Sequence, residues 1–280
     1  MHWVGRRARE TRASGDTPTH SDLRSEARNA YGSDVEIYEL GRPDYPDRVY
    51  QILDERCGLR SGIDVIESGP GTGQVTRHLM AVGAHVTAVE PDPAMARYLR
   101  NSMADKDIEV IESAFEDVMA EDDSFDLAVA ATSFHWVDQS VGLSKLRRIV
   151  KPGGWVALWW TIFGDADRSD PFHEATHSLL GNDPGRYVRM SRFQLDRKER
   201  ESDLRRLAGL VNVSSELIPW TARMDPLGVR ALYASLINVI RLPTEVRESV
   251  LDALESMAAN TFGGIVERPF VTVIYTGERP

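Results

Sequence analysis

The sequence predicts an α/β fold, a buried parallel sheet covered by helices on both faces. Two observations carry that reading. From Asp44 onward, short β-branched runs alternate with helical stretches, the rhythm of consecutive βαβ units. Between the first run and the helix behind it lies a loop with three glycines, placed at the carboxyl end of a strand, where open α/β sheets receive their ligands.

Taken in order, residues 1–20 are rich in Arg, Ser and Thr and show no apolar period. They lack the apolar region of a signal peptide, and Glu10 and Asp16 count against a transit peptide, so they are expected to form a disordered leader. A helix over residues 21–30 is expected to begin the ordered part. YPDRVYQILDERCG reads as a helix stopped by Gly58, and IDVIE (residues 63–67) as a short buried strand. A helix over residues 74–81 follows the glycine loop. HVTAVE (85–90) is the second strand, and Pro93 opens a helix through Asn101. IEVIES (108–113), FDLAVAAT (125–132) and GWVALWW (154–160) supply three more strands, with a helix over 139–150 before the last. After Trp160 the rhythm breaks. Residues 164–209 are polar and read as helices and loops. SELIPWTARMD (215–225) reads as a strand, residues 226–260 as two helices, and FVTVIYTGE (270–278) as a final strand with β-branched and aromatic content.

Composition bounds the function. The 280 residues carry 33 basic and 43 acidic side chains, a net charge of −10. That balance argues against a general nucleic-acid binder, which needs clustered positive charge, and against docking on an anionic membrane. The single cysteine, Cys57, leaves no internal disulfide framework or Cys-rich zinc site and suits a reducing cytoplasm. No apolar run approaches the roughly 20 residues that span a bilayer. Of the basic residues, 29 are Arg and 4 are Lys, which reads as codon bias in a GC-rich bacterial genome.

The main chemical signal is IDVIESGPGTGQVTRHL, with Gly69, Gly71 and Gly73 between strand and helix. Glycines allow a tight turn and close approach to a ligand, and the helix start offers unpaired N–H groups. A dinucleotide fingerprint G-x-G-x-x-G fails here, because the third position falls on Gln74 or Thr76. A phosphate-binding P-loop fails too, since Gly73 is followed by Gln74 rather than Lys. The spelling E-x-G-x-G-x-G, with Glu67 as its acid, resembles class I S-adenosylmethionine-dependent methyltransferases. VTAVEPDPAM, FDLAVAATSFHWVD and LRRIVKPGGWVALWW resemble the same family's second-strand, fourth-strand and fifth-strand segments in the right order. GRPDYP is similar to the opening segment of its trans-aconitate-methyltransferase-like branch, within the type 11 group. These resemblances cover about residues 30–161 and, more weakly, the last strand pair.

The resemblance implies a Rossmann-like seven-stranded, mostly parallel sheet with an antiparallel final strand, and S-adenosylmethionine as cofactor. Glu90 would accept the ribose hydroxyls, with Pro91 beside it. The backbone of Gly69, Gly71 and Gly73 would pack on the amino-acid and ribose portion, and Glu67 would fix the loop or reach the cofactor's ammonium through water. The family's acid after the third strand is missing: Ser113-Ala114-Phe115-Glu116 leaves adenine to the backbone of Ala114 and Phe115. Ala131 and Thr132 end the fourth strand beside the cofactor. Tyr38 and Arg42 match positions that close over it; Arg42 either pairs with the methionine carboxylate or anchors the N-terminal segment.

For the chemistry, His135 is the candidate general base, with an ordinary pKa that allows it; the alternative is a structural histidine that orients its loop. Phe134, Trp136, Trp160, Phe163 and His173 are candidate walls of an acceptor pocket. A competing motif, His173-Glu174-Ala175-Thr176-His177, spells the H-E-x-x-H of zinc hydrolases, for which Glu199 or Glu201 would have to supply a third ligand. Asp165, Asp167 and Asp170 read as a solvated acidic loop. The expected organisation is a core over residues 21–163, a helical cap over 164–214 that selects the acceptor, and a closing segment over 215–280. The expected function is methyl transfer to a small-molecule hydroxyl or carboxylate, by a monomer or homodimer, with no metal. A non-methylating adenosylmethionine-binding enzyme is the alternative.

Overall fold

A computed structural model of the chain describes residue 32, residues 34–180 and residues 192–280. The expected leader and the helix expected over residues 21–30 lie outside the described residues. Two helices come first. Helix α1 (Val35–Gly41) starts where the Asp34 carboxylate accepts from the Ile37 N–H, and α2 (Asp47–Glu55) buries Val49, Ile52 and Leu53. The seven residues of α1 are too few to display a helical period, and the sequence gives no sign of it.

The alternation then runs as expected. Strand β1 (Asp64–Ser68), α3 (Gln74–Val82), β2 (His85–Glu90), α4 (Pro93–Ser102) and β3 (Ile108–Glu112) lead to β4 (Phe125–Ala131), α5 (Gln139–Ile149) and β5 (Val150–Ile162). Helix α4 begins at a proline, and the Asp92 carboxylate accepts from the N–H groups of Ala94 and Met95, which satisfies two of the donors a helix start leaves open. Strand β5 starts earlier than the sequence indicates. Phe125 pairs with Val150 but Leu127 pairs with Trp155, so the Lys-Pro-Gly-Gly segment is absorbed as a bulge.

Beyond β5 lie α6 (Pro171–Thr176), α7 (Arg192–Leu195) and α8 (Arg197–Arg206). Strands β6 (Val211–Met224) and β7 (Val266–Glu278) pair antiparallel over most of their length, enclosing α9 (Pro226–Ala234), α10 (Ile237–Ile240) and α11 (Thr244–Asn260). Three helices replace the two expected over residues 226–260. The chain leaves helical geometry at Leu236 and again at Pro243, and the short α10 between them is too brief to register as a period.

The seven strands form one sheet in the order β3-β2-β1-β4-β5-β7-β6, with the first five parallel and β7 antiparallel to both neighbours. Alternate side chains divide between its two faces. Leu127 and Val129 of β4 enter the cluster containing α2 and α3 residues, whereas Ala128 and Ala130 enter the one containing α5 and α8 residues. A third cluster, with Phe172, Val229, Tyr233, Leu254 and Val266, joins α6, α9, α11 and the start of β7. Beside it Arg268, only 3% exposed, sets its guanidinium on Asp170 at 2.8 Å and donates to the Tyr233 hydroxyl and the Phe163 carbonyl. Asp170 is therefore a buried helix cap and ion-pair partner rather than part of a solvated acidic loop.

Candidate functional site

Strand β1 lies between β2 and β4, so the strand order reverses there and the loops leaving β1 and β4 diverge, which opens a crevice at their carboxyl ends. A cavity of about 240 Å³ occupies this place. Its floor is the glycine loop. Gly69, Gly71 and Gly73 all take positive φ, at 68°, 58° and 92°. At Gly69 space is also decisive: a Cβ there would come within 2.5 Å of the Ser133 Cβ, so the exits of β1 and β4 touch directly.

One carboxylate ties this floor together. Glu90 Oε2 accepts the Gly71 N–H at 3.0 Å and Oε1 accepts the Asp92 N–H at 2.9 Å, and the side chain stands in the cavity wall. Glu67 does something different. It is 1% exposed, accepts the Thr76 hydroxyl at 2.6 Å, and is absent from the wall. Burial pushes its pKa up to about 7, partly offset by the Thr76 hydrogen bond. Glu67 thus stitches β1 to α3.

Aromatic side chains close over this floor: a Cβ at Gly71 would lie 3.7 Å from the Tyr38 ring. Arg42, at the end of α1, donates to the Ser235 carbonyl at 2.7 Å and lies over the rings of Tyr38 and Phe163, 4.9 and 5.0 Å from their centroids. The Gln74 amide donates to the Arg42 carbonyl at 2.6 Å. His135 sits in a short 3-10 turn, Phe134–Trp136, where its Nδ1 accepts from Trp160 Nε1 at 3.1 Å. Burial, and secondarily the Arg42 charge, lower its pKa to about 4, so the ring is neutral. Thr132, the residue after β4, has φ 53°, a strained conformation for a β-branched residue. Its hydroxyl meets the Tyr45 hydroxyl at 3.0 Å.

Of the site residues read from the sequence, Tyr38, Arg42, Gly69, Gly71, Glu90 and Pro91 line the cavity, and so do Phe115, Ala131, Thr132, His135, Trp136 and Phe163. Six others do not. Gly73 serves as the left-handed cap of α3, and Glu67 faces Thr76. The Ala114 carbonyl is taken by the N–H groups of Asp117 and Val118. Phe134 is fully buried, and Trp160 lies behind His135, packed on Phe193 and Tyr275. His173 is on α6, in the first turn capped by Asp170. Asp92 and Met95 line the cavity as well, and an acid before Pro93 is a legible helix-start signal. So do Gln194, Leu236, Ile237 and Asn238, for which the sequence offers no local signal.

The H-E-x-x-H segment is built as a capped helix. His177 Nδ1 is 2.8 Å from the Glu174 carbonyl, and Glu201 accepts from Ser215 and Arg205. Among the described residues, no three His, Cys, Asp or Glu side chains converge as metal ligands.

The cavity's chemistry fits adenosylmethionine. Two carboxylates, Glu90 and Asp92, share the wall with the glycine backbone, and among the described residues the one cationic side chain on the wall is Arg42, which lies over the Tyr38 ring. A diol and a sulfonium suit the two carboxylates, whereas a pyrophosphate would be repelled by them. Apolar Met95, Phe115 and Val137 offer a slot for a base.

Residues 66–158 match the methyltransferase domain family. The chain is 29% identical over 250 residues to an uncharacterized methyltransferase of Mycobacterium tuberculosis, an alignment that covers 87% of this chain and 93% of that one. Among solved structures, a candidate methyltransferase from an antibiotic biosynthesis pathway of Anabaena variabilis is similar with a TM-score of 0.61 at 17% identity, over 84% of this chain and 98% of that one. Phosphoethanolamine N-methyltransferase 2 of Haemonchus contortus, in complex with phosphomonomethylethanolamine and S-adenosylhomocysteine, gives 0.56 at 14% identity, over 91% of this chain and 60% of that one. At such identities the structural likenesses establish the fold.

Proposed function

We propose that this chain, a class I S-adenosylmethionine-dependent methyltransferase, methylates a small-molecule acceptor at oxygen, on a hydroxyl or a carboxylate. The observation that carries the reading is a single pocket with unlike walls. Glu90 and Asp92 make part of it acidic, and Tyr38, Trp136 and Phe163 make part of it aromatic, beside the cation Arg42.

The bound cofactor supplies a methyl group already activated on sulfur. This chain's residues then bind, align and exclude water, which is most of what an in-line transfer requires. Glu90 would hold the ribose hydroxyls, and the backbone at Gly69 and Gly71 would pack against the amino-acid and ribose portion. Phe115 and Met95 would flank the adenine. Arg42, anchored on Ser235, would hold either the methionine carboxylate or an anionic acceptor, and the aromatic walls would keep water from the sulfonium.

The Arg-Pro-Asp-Tyr-Pro segment at Arg42 supports the trans-aconitate-methyltransferase-like branch. The net charge of −10 supports a small acceptor over a nucleic acid or an anionic membrane surface, and the single cysteine, Cys57, suits a reducing cytoplasm. Among the described residues no helix is long and apolar enough to cross a membrane. The decisive experiment is calorimetric titration with adenosylmethionine, followed by transfer of labelled methyl to a panel of carboxylic acids, phenols and amines. Label in ester or ether products is expected; label in amines alone would overturn the oxygen assignment.

A further inference from the structure

The histidine of the pocket is wired to a tryptophan in a way that decides which of its nitrogens carries the proton. An indole Nε1 can only donate. Its 3.1 Å contact with His135 Nδ1 therefore makes Nδ1 an acceptor and, in the neutral ring, leaves the proton on Nε2. Neither partner can turn away easily. Trp160 is 2% exposed and meets Phe193 and Tyr275 edge-on at 5.8 and 5.9 Å. His135 is held by the fully buried Phe134 before it and by the Trp136 ring, 4.7 Å from its own. The basic lone pair of the imidazole is thus already used, and the second nitrogen carries an N–H. Among the described residues, the other titratable or charged groups of the wall are Tyr38, Arg42, Glu90 and Asp92. Both carboxylates accept backbone N–H groups at the cofactor end.

We propose that Trp160 is a positioning residue that fixes His135 as a hydrogen-bond donor through Nε2–H, so that His135 orients the methyl acceptor instead of deprotonating it. The proposal rests on the methyl-transfer reading above. In the transfer, a lone pair of the acceptor forms the bond to the methyl carbon while the carbon–sulfur bond breaks and sulfur keeps its electron pair. No proton passes to His135. The acceptor must then enter the pocket already ionised, because a neutral alcohol would find no free imidazole lone pair.

The test is long-range 1H–15N correlation of the full 15N-labelled chain, saturated with S-adenosylhomocysteine, from pH 5 to 8. Benzoate serves as the probe anion, and His135→Gln assigns the signals. A neutral ring protonated on Nε2 is expected throughout, with the Nε2 resonance moving on benzoate addition. In Trp160→Phe the two tautomers should mix. His135→Leu should weaken benzoate about tenfold, as loss of one hydrogen bond to a charged group implies, and His135→Gln less than about threefold. A ring protonated on Nδ1, a titration midpoint near 6.5, or an Nε2 signal indifferent to benzoate would overturn the proposal. Absence of S-adenosylhomocysteine binding in the same samples would instead sink the methyl-transfer reading, and the wild-type tautomer is read even if Trp160→Phe does not fold.

Discussion

The backbone N–H of Gly71 donates to the Glu90 carboxylate at 3.0 Å, which fastens the loop after β1 to the end of β2. The residue assigned to the ribose is therefore also part of what shapes the glycine floor. Glu90→Ala is expected to weaken adenosylmethionine about 100-fold or more, because hydrogen bonds to a charged group are worth about 1.5–3 kcal/mol each. Calorimetry with wild type and variant checks this, with circular dichroism confirming that the variant is folded. An unchanged affinity would remove Glu90 from the cofactor site.

Gly69 carries two constraints and Gly153 only one. Both have positive φ, but a Cβ would collide with Ser133 at Gly69 and meets nothing within 4 Å at Gly153. Gly153→Ala should cost about 1–2 kcal/mol, the penalty of a left-handed non-glycine residue. Gly69→Ala should cost about 1–3 kcal/mol more, for overpacking. Urea denaturation of the two variants isolates the steric part.

Glu67 and His135 pull the pH dependence of stability in opposite directions. With its pKa at about 7 in the fold, Glu67 keeps a proton that the unfolded chain releases above its ordinary value of about 4.3, so its contribution to stability falls as pH rises through that window. His135 stays neutral down to about 4 while the unfolded chain protonates below about 6.5, so its contribution falls as pH drops from about 6.5 to 4. Glu67→Gln should gain on wild type as pH rises from 5 to 7.5, by up to about 3 kcal/mol. His135→Gln should gain as pH falls from 6.5 to 4.5. Denaturation midpoints at three pH values decide both; parallel curves would contradict the shifts.

Asp170 and Arg268 form a buried pair that joins α6 to β7. Asp170→Ala leaves the guanidinium buried without its carboxylate and should cost about 3–5 kcal/mol, whereas Asp170→Leu with Arg268→Met should recover much of that loss. Thermal denaturation of the single and double variants gives the comparison.

Much of the frame was legible. Strand–helix alternation, Gly69 to Gly73, the acid at the end of β2 and the start of α4 at Pro93 are each written in a few consecutive residues, and the sheet formed as they indicated. Helix α1, the bulge inside β5 and the third helix of the segment between β6 and β7 were not legible. Their lengths are too short to establish a period, and their positions depend on what they pack against. Among the site residues, Glu67 reads as a cofactor acid by position, yet its carboxyl turns to Thr76. Trp160 reads as a pocket wall, yet it stands one layer back and acts on His135.

Local sequence suffices for the parts that backbone geometry governs: where the chain must turn left-handed, where a helix starts, and which strand end carries a carboxylate. Long-range packing assembled the aromatic wall of the pocket. There Arg42, Phe163, Gln194 and Asn238 meet across nearly 200 positions of chain, and an indole fixes the proton of an imidazole 25 residues before it. A turn is dictated by neighbouring residues, but the direction and protonation of a side chain are set by whatever packs against it, and that arrives from anywhere in the chain.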